Sequence, residues 1–218
     1  MLKLLRYAPL VLIVFAFAIA FYIYPNLPDA LPSHWNAQGD VDATTSKVWI
    51  LFLLPSAMCA LWGIFLFIPK VDPLKANIAE FRSYYDGFVV LILFFMIFLH
   101  LQLILRSQGT KIDLLKLMPF GMGLIFYYAG ILCSHAKRNW FIGVRTPWTL
   151  SSDTVWAKTN KLGGMLFKLT GIISFFGVSY PGAAMYLISV PAVITVVVVV
   201  VYSYNEYKKE VAGKSELP

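Results

Sequence analysis

The sequence predicts an all-α membrane protein, a bundle of about six transmembrane helices with both termini cytoplasmic. Three observations predict it. Hydrophobic residues make up 59% of the 218-residue chain and charged residues only 13%, with mean hydropathy +0.72, whereas soluble domains carry about 25% charged residues. Six separated apolar stretches are each long enough to cross the hydrocarbon layer, which takes about 20 residues. Lys and Arg fall unevenly between alternate connecting segments, which sets the orientation.

The first span is expected over residues 7–24, an uncharged run ending in a Tyr pair suited to the headgroup level. A signal peptide competes with that reading, with Lys3 and Arg6 as its basic head and Ala16-Phe17-Ala18 or Ala18-Ile19-Ala20 as its cleavage site. An uncleaved anchor is the expectation. Residues 48–68 and 88–105 form the second and third spans, each free of Asp, Glu, Lys and Arg. The fourth, fifth and sixth spans are placed at 117–134, 162–178 and 183–204. The valine run 196–201 would read as strand in water, but in lipid a helix is the way for a single segment to satisfy its own N–H and C=O groups.

Four segments follow: 1–68, the first two spans and their polar loop; 69–134, a link and two spans; 135–204, a second polar loop and two spans; and 205–218, a polar tail expected to be disordered at its end. Within the link, residues 70–86 carry Pro73, Lys75, Glu80 and Arg82 and are expected to form a short amphipathic helix. Gly121, Gly123 and Gly130 on the fourth span, and Gly163, Gly164 and Gly171 on the fifth, permit close backbone approach. These two helices are predicted to pack together. Pro191 is expected to kink the last.

With the N-terminus inside, the inner segments hold Lys3, Arg6, Lys70, Lys75, Arg82, Lys137, Arg138, Arg145, Lys158, Lys161, Lys208, Lys209 and Lys214. The outer segments hold only Lys47, Arg106, Lys111 and Lys116. Thirteen against four places both termini in the cytoplasm and gives the +7 net charge a partner in anionic membrane lipids. Direct nucleic-acid binding is disfavoured, because the basic residues are spread over four segments rather than gathered in a stripe. Cys59 and Cys133 lie in or near spans without CxxC spacing and read as small packing residues. Among polar groups in the spans, His100 and Lys168 stand out, Lys168 as a side chain snorkelling toward the cytoplasm.

Function is therefore sought in the polar loops. In the first, residues 25–47, Pro25, Pro28 and Pro32 forbid a regular helix, so an extended and turned segment is expected. His34, Asn36, Asp40, Asp42 and Lys47 gather an imidazole, an amide, two carboxylates and an ammonium. They are candidates for ligand recognition, with Trp35 and Trp49 beside them. His34, Asp40 and Asp42 are also the candidate ligands for a divalent metal such as zinc. They lack HExxH, DxDxDG or Cys partners, and Asp-rich turns satisfy themselves through local hydrogen bonds, so no cofactor is expected.

The second loop, residues 137–161, contains Thr146-Pro147, an extended dipeptide, followed by Ser151-Ser152-Asp153, which offers N-cap side chains for a helix running on from Thr154. On that helix Trp156, Asn160 and Gly163 share a face. Arg145, Trp140 and Trp148 suit either anchorage at the lipid interface or contact with a partner.

Asn139, the run Gly143-Val144-Arg145-Thr146-Pro147-Trp148-Thr149, the cap Ser152-Asp153 and Val155-Trp156 together strongly resemble the signature of the SdpI family of multi-pass immunity proteins. The first loop independently resembles that family's N-terminal domain of unknown function, through Pro25, Leu31-Pro32, His34, Asn36, Gly39, Asp42 and Ser46-Lys47. The resemblance implies a bacterial cytoplasmic-membrane protein that protects its cell from a secreted toxic peptide. For some members it also implies a signalling role in which a small DNA-binding repressor is held at the membrane on the cytoplasmic side. It makes Asn139, Gly143, Arg145, Thr146, Pro147, Trp148 and Trp156 the signature residues of the cytoplasmic loop.

Two other classes are weighed against this. An intramembrane hydrolase would draw on His34 with Asp40 or Asp42, or on Ser56 or Ser134, but no elbow motif or zinc-binding pair nominates them, so no catalytic residue is assigned. A small-peptide exporter would need a phosphate-binding loop or matched broken helices, and neither is found.

Overall fold

A computed structural model describes residues 2–35, 41–110 and 114–215. The described residues contain six helices long and apolar enough to cross a membrane. They lie within α1 (Leu2–Ile23), α2 (Lys47–Val71), α4 (Arg82–Ser107), α5 (Leu114–His135), α7 (Asp153–Phe175) and α8 (Ala184–Ser215). Two short helices, α3 (Lys75–Glu80) and α6 (Pro147–Ser151), lie in the connections. Strands β1 (Ala30–Trp35) and β2 (Val41–Ser46) form an antiparallel hairpin between α1 and α2. The protein is a multi-pass, predominantly helical membrane protein.

Several boundaries differ from those expected. The first loop is a hairpin, with one turn of 3-10 helix at Tyr24–Asn26 leading into it. The link 70–86 is split: α3 ends at Glu80, and α4 begins at Arg82, six residues before the third expected span. Arg82 and Asp86 can enter that helix because they neutralise each other, Nε to Oδ1 at 2.6 Å, at i,i+4 spacing. The polar tail is mostly helix, since α8 continues to Ser215. Glu206 and Glu210, on the stretch taken for a tail, are tied to α7 and to its N-cap, which holds this part of the helix in place.

The chain forms two compact units, residues 1–66 with 89–114 and residues 67–88 with 115–218. In the first, Leu27 and Leu31 from the hairpin approach pack with Ala20, Ile50, Leu51 and Ile104 in one buried cluster. That apolar anchor seats the hairpin on the ends of α1, α2 and α4. In the second, α5 and α7 meet through glycine: a Cβ on Gly130 would stand 2.5 Å from the Gly164 carbonyl oxygen, and one on Gly171 would stand 2.6 Å from that of Gly123. Two glycines seven residues apart on each helix thus allow the backbones to touch, as predicted for these spans. Between α7 and α8, the Thr170 and Thr195 hydroxyls bond at 3.0 Å, a polar contact suited to a lipid-facing pair of helices.

Candidate recognition sites

The hairpin presents the first group of predicted residues. Register shifts around His34 place it opposite Ala43, beside Asp42. His34 Nδ1 lies 2.6 Å from Asp42 Oδ1, and both side chains are exposed. Lys47 behaves differently. Its ammonium donates to the Leu27 carbonyl at 3.0 Å, meets Asp29 Oδ1 at 3.1 Å and sits 4.5 Å from the centre of the Tyr24 ring, with the side chain only 13% exposed. It ties the entry of the hairpin to its exit, as does the Lys47 N–H to the Asp29 carbonyl. Asn36 and Asp40 lie outside the described residues. Among the described residues no three His, Cys, Asp or Glu side chains converge as a metal site would require.

The second loop is held by two buried asparagines. Asn139 is fully buried and uses its whole amide: Nδ2 donates to the Lys137 and Ile142 carbonyls at 2.8 and 2.9 Å, and Oδ1 accepts from the Phe141 and Ile142 N–H groups at 2.9 and 2.7 Å. Asn160 closes the other end, its Oδ1 accepting from the Val144 N–H and the Cys133 thiol. Gly143 separates them with φ +100°, a backbone region that side chains disfavour, and a Cβ there would stand 2.5 Å from Asn160 Oδ1. Trp156 is buried and donates its indole N–H to the Ala136 carbonyl at 2.7 Å.

The Thr-Pro-Trp-Thr run then starts α6. Thr146 is its N-cap in a reciprocal capping box with Thr149, and Pro147 takes the first helical turn, where its missing N–H costs nothing. The Thr146 hydroxyl also bonds Ser203 Oγ on α8 at 3.1 Å. Trp148 packs on Tyr204, ring centres 5.0 Å apart. Ser152 caps α7, accepting from the Val155 N–H while its hydroxyl donates to Glu210. Arg145 is exposed and donates to the Trp140 carbonyl at 2.9 Å, and Trp140 and Phe141 are exposed beside it.

Residues that the sequence did not nominate complete the loop. Asp72 accepts from the Trp140 N–H and, in an Asx turn, from the Leu74 N–H. Asn77 Nδ2 donates to the Arg138 carbonyl, and Glu206 receives Lys158 and Lys209. An Asp before Pro73 signals such a turn, and Ser203, Glu206 and Glu210 share one helical face once α8 is read past residue 204. Beside the loop lies a cleft of about 1150 Å³, formed by α3, the end of α5, residues 136–138, α7 and Tyr202 of α8.

Residues 135–203 match the SdpI/YfhL protein family. Over that segment the chain is similar to the SdpI family. Residues 11–59 match a domain of unknown function, DUF1648, so the two motifs of the SdpI resemblance stand in the order expected. The immunity protein SdpI of Bacillus subtilis (strain 168) is 26% identical over 201 residues, covering 92% of this chain and 94% of that protein. No solved structure matches. The SdpI match covers the loop built on Asn139 and Asn160 together with α7 and most of α8, and the DUF1648 match covers most of α1, the hairpin and the first half of α2.

Proposed function

We propose that this protein is an immunity factor of the bacterial cytoplasmic membrane that protects its cell from a secreted antimicrobial peptide. The observation that carries the proposal is similarity to an immunity protein along nearly the whole of both chains, through both loop motifs. The excess of basic residues on alternate connections supports cytoplasmic termini, with the hairpin outside and the SdpI loop inside. The hairpin would then be the face that meets the toxin, through the His34–Asp42 pair and the exposed Val41.

The inner loop is the candidate surface for a cytoplasmic partner such as a small repressor. Its exposed side chains include Trp140, Phe141 and Arg145, and Trp and Arg are residue types enriched in binding hot spots. Signalling from one face to the other needs two states of the protein with different affinity for the external peptide. Of the two serines weighed for catalysis, Ser134 donates its hydroxyl to the Gly130 carbonyl of its own helix at 2.8 Å, as helical serines commonly do, rather than to a base that would activate it.

Survival of toxin-sensitive cells tests the proposal. Wild-type protein is expected to protect, and His34→Ala/Asp42→Ala to protect less at equal membrane abundance. Sensitivity unchanged by the wild-type protein, measured against a panel of secreted peptides from related bacteria, would sink the immunity reading.

A further inference from the structure

We propose that the cleft at the charged end of α7 binds the phosphate of an anionic glycerophospholipid between Lys161 and Lys168. The cleft is lined by five cations, Lys137, Arg138, Lys158, Lys161 and Lys168, against two carboxylates, Glu80 and Asp153. Three of the five are already matched. Lys137 faces Glu80 at 3.7 Å, Arg138 lies 2.9 Å from Asp153, and Lys158 lies 2.7 Å from Glu206 on α8. Lys161 and Lys168 have no ion pair or side-chain hydrogen bond among the described residues, which leaves two positive charges in one cavity without a counter-ion.

Lys161 stands at the polar end of α7, and Lys168 lies two turns further into its apolar part. Seven residues of α-helix separate their Cα atoms by about 10.5 Å along the axis. Helical side chains lean toward the N-terminus, so both side chains lean toward the polar loop, and Lys168 is carried out of the apolar part of α7. The base of its stem lies against α5, where a Cβ on Gly130 would stand 2.8 Å from Lys168 Cγ. A phosphate between the two ammonium groups is within reach of both flexible side chains.

The surface below the cations suits acyl chains rather than a soluble ligand. Met165 lines the cleft and is 60% exposed, and Leu169, Ile172 and Phe176 continue the same helical face, all exposed. A cation pair above a continuous apolar stripe is the arrangement expected for a membrane phospholipid. A water-soluble anion would have no use for the stripe.

Native mass spectrometry of the full chain in detergent, titrated with phosphatidylglycerol or phosphatidylcholine, tests this. Phosphatidylglycerol should be retained in preference. Each lysine near a membrane surface contributes about five-fold, so Lys161→Gln/Lys168→Gln should weaken phosphatidylglycerol retention about thirty-fold and each single variant about five-fold. Lys161→Arg/Lys168→Arg should keep retention near wild type, as should Lys75→Gln/Lys208→Gln, which removes two cations outside the cleft. Equal retention of the two lipids, or undiminished phosphatidylglycerol binding by the folded Gln variants, would overturn the proposal. Displacement of the lipid by millimolar inorganic phosphate or by a polyglutamate peptide would also overturn it, in favour of a soluble anion or an acidic protein segment.

Discussion

Replacing Asn139 with Ala should open the SdpI loop without touching a membrane span. The side chain makes four hydrogen bonds of 2.7 to 2.9 Å from a fully buried position. Two of the four backbone groups released belong to exposed residues, Lys137 and Phe141, and can turn to water. The other two are the N–H and C=O of Ile142, which is itself buried. A buried polar group left without a partner costs about 1–3 kcal/mol, so the pair costs about 4 kcal/mol. For a chain of this size that corresponds to a fall in Tm of about 8–16 °C. Asn139→Asp should not rescue the loss, because a carboxylate keeps the two acceptor contacts but faces the Lys137 and Ile142 carbonyls where the amide donated. Thermal unfolding in detergent micelles measures the shift, and limited trypsin digestion reports the loop directly through Lys137, Arg138 and Arg145. A Tm within about 3 °C of wild type, with no faster cleavage at these residues, would refute the assignment of Asn139 as the loop's organiser.

Gly143→Ala should destabilise the same loop by about 2–4 kcal/mol, since it combines an unfavourable positive φ with a contact on Asn160 Oδ1, again measured by thermal unfolding. Trp156→Phe removes the indole donor to the Ala136 carbonyl and leaves part of a buried ring's volume empty, with an expected loss of about 2–4 kcal/mol. His34→Ala and Asp42→Ala should each change thermal stability by less than about 1 kcal/mol, because the pair is exposed, while lowering protection against the toxic peptide. Orientation is open to labelling: in a Cys59→Ser background, Thr44→Cys should react with a membrane-impermeant maleimide on intact cells, and Ser151→Cys should react only after permeabilisation. The opposite pattern would invert the topology.

The spans were legible in the sequence because hydrocarbon thickness leaves few other uses for six apolar stretches of this length, of which only the fifth holds a charged residue, Lys168. The α5–α7 contact was legible from spaced glycines, and the face shared by Trp156 and Asn160 from their i,i+4 spacing. The hairpin was not. Val41-Asp42-Ala43-Thr44-Thr45-Ser46 shows no apolar alternation, since most of β2 is exposed, and Pro32 in β1 argues for a turn. What holds it is Leu31 buried against α1, α2 and α4, together with Lys47 bridging to Leu27 and Asp29, contacts between residues far apart in sequence. Asp72, Ser203, Glu206 and Glu210 were missed for the same reason: each is an ordinary polar residue until tertiary structure supplies a partner.

The residues that carry the SdpI resemblance divide by what they have left to offer a ligand. Asn139 has used all its hydrogen-bonding capacity internally, Gly143 supplies a backbone conformation, Thr146 caps α6, and Trp156 has spent its only donor. Such side chains cannot contact a partner without dismantling the loop, so their replacement should lower the amount of folded protein. Arg145 differs. It is exposed and spends one of its five donors on the Trp140 carbonyl, and Trp140, 52% exposed, lies beside it. Arg145→Ala should therefore leave membrane abundance and Tm nearly unchanged while weakening any partner bound at this face. If it instead lowered abundance as far as Asn139→Ala does, its bond to the Trp140 carbonyl would be its whole role, and the loop would be a structural clasp with no recognition surface at Arg145.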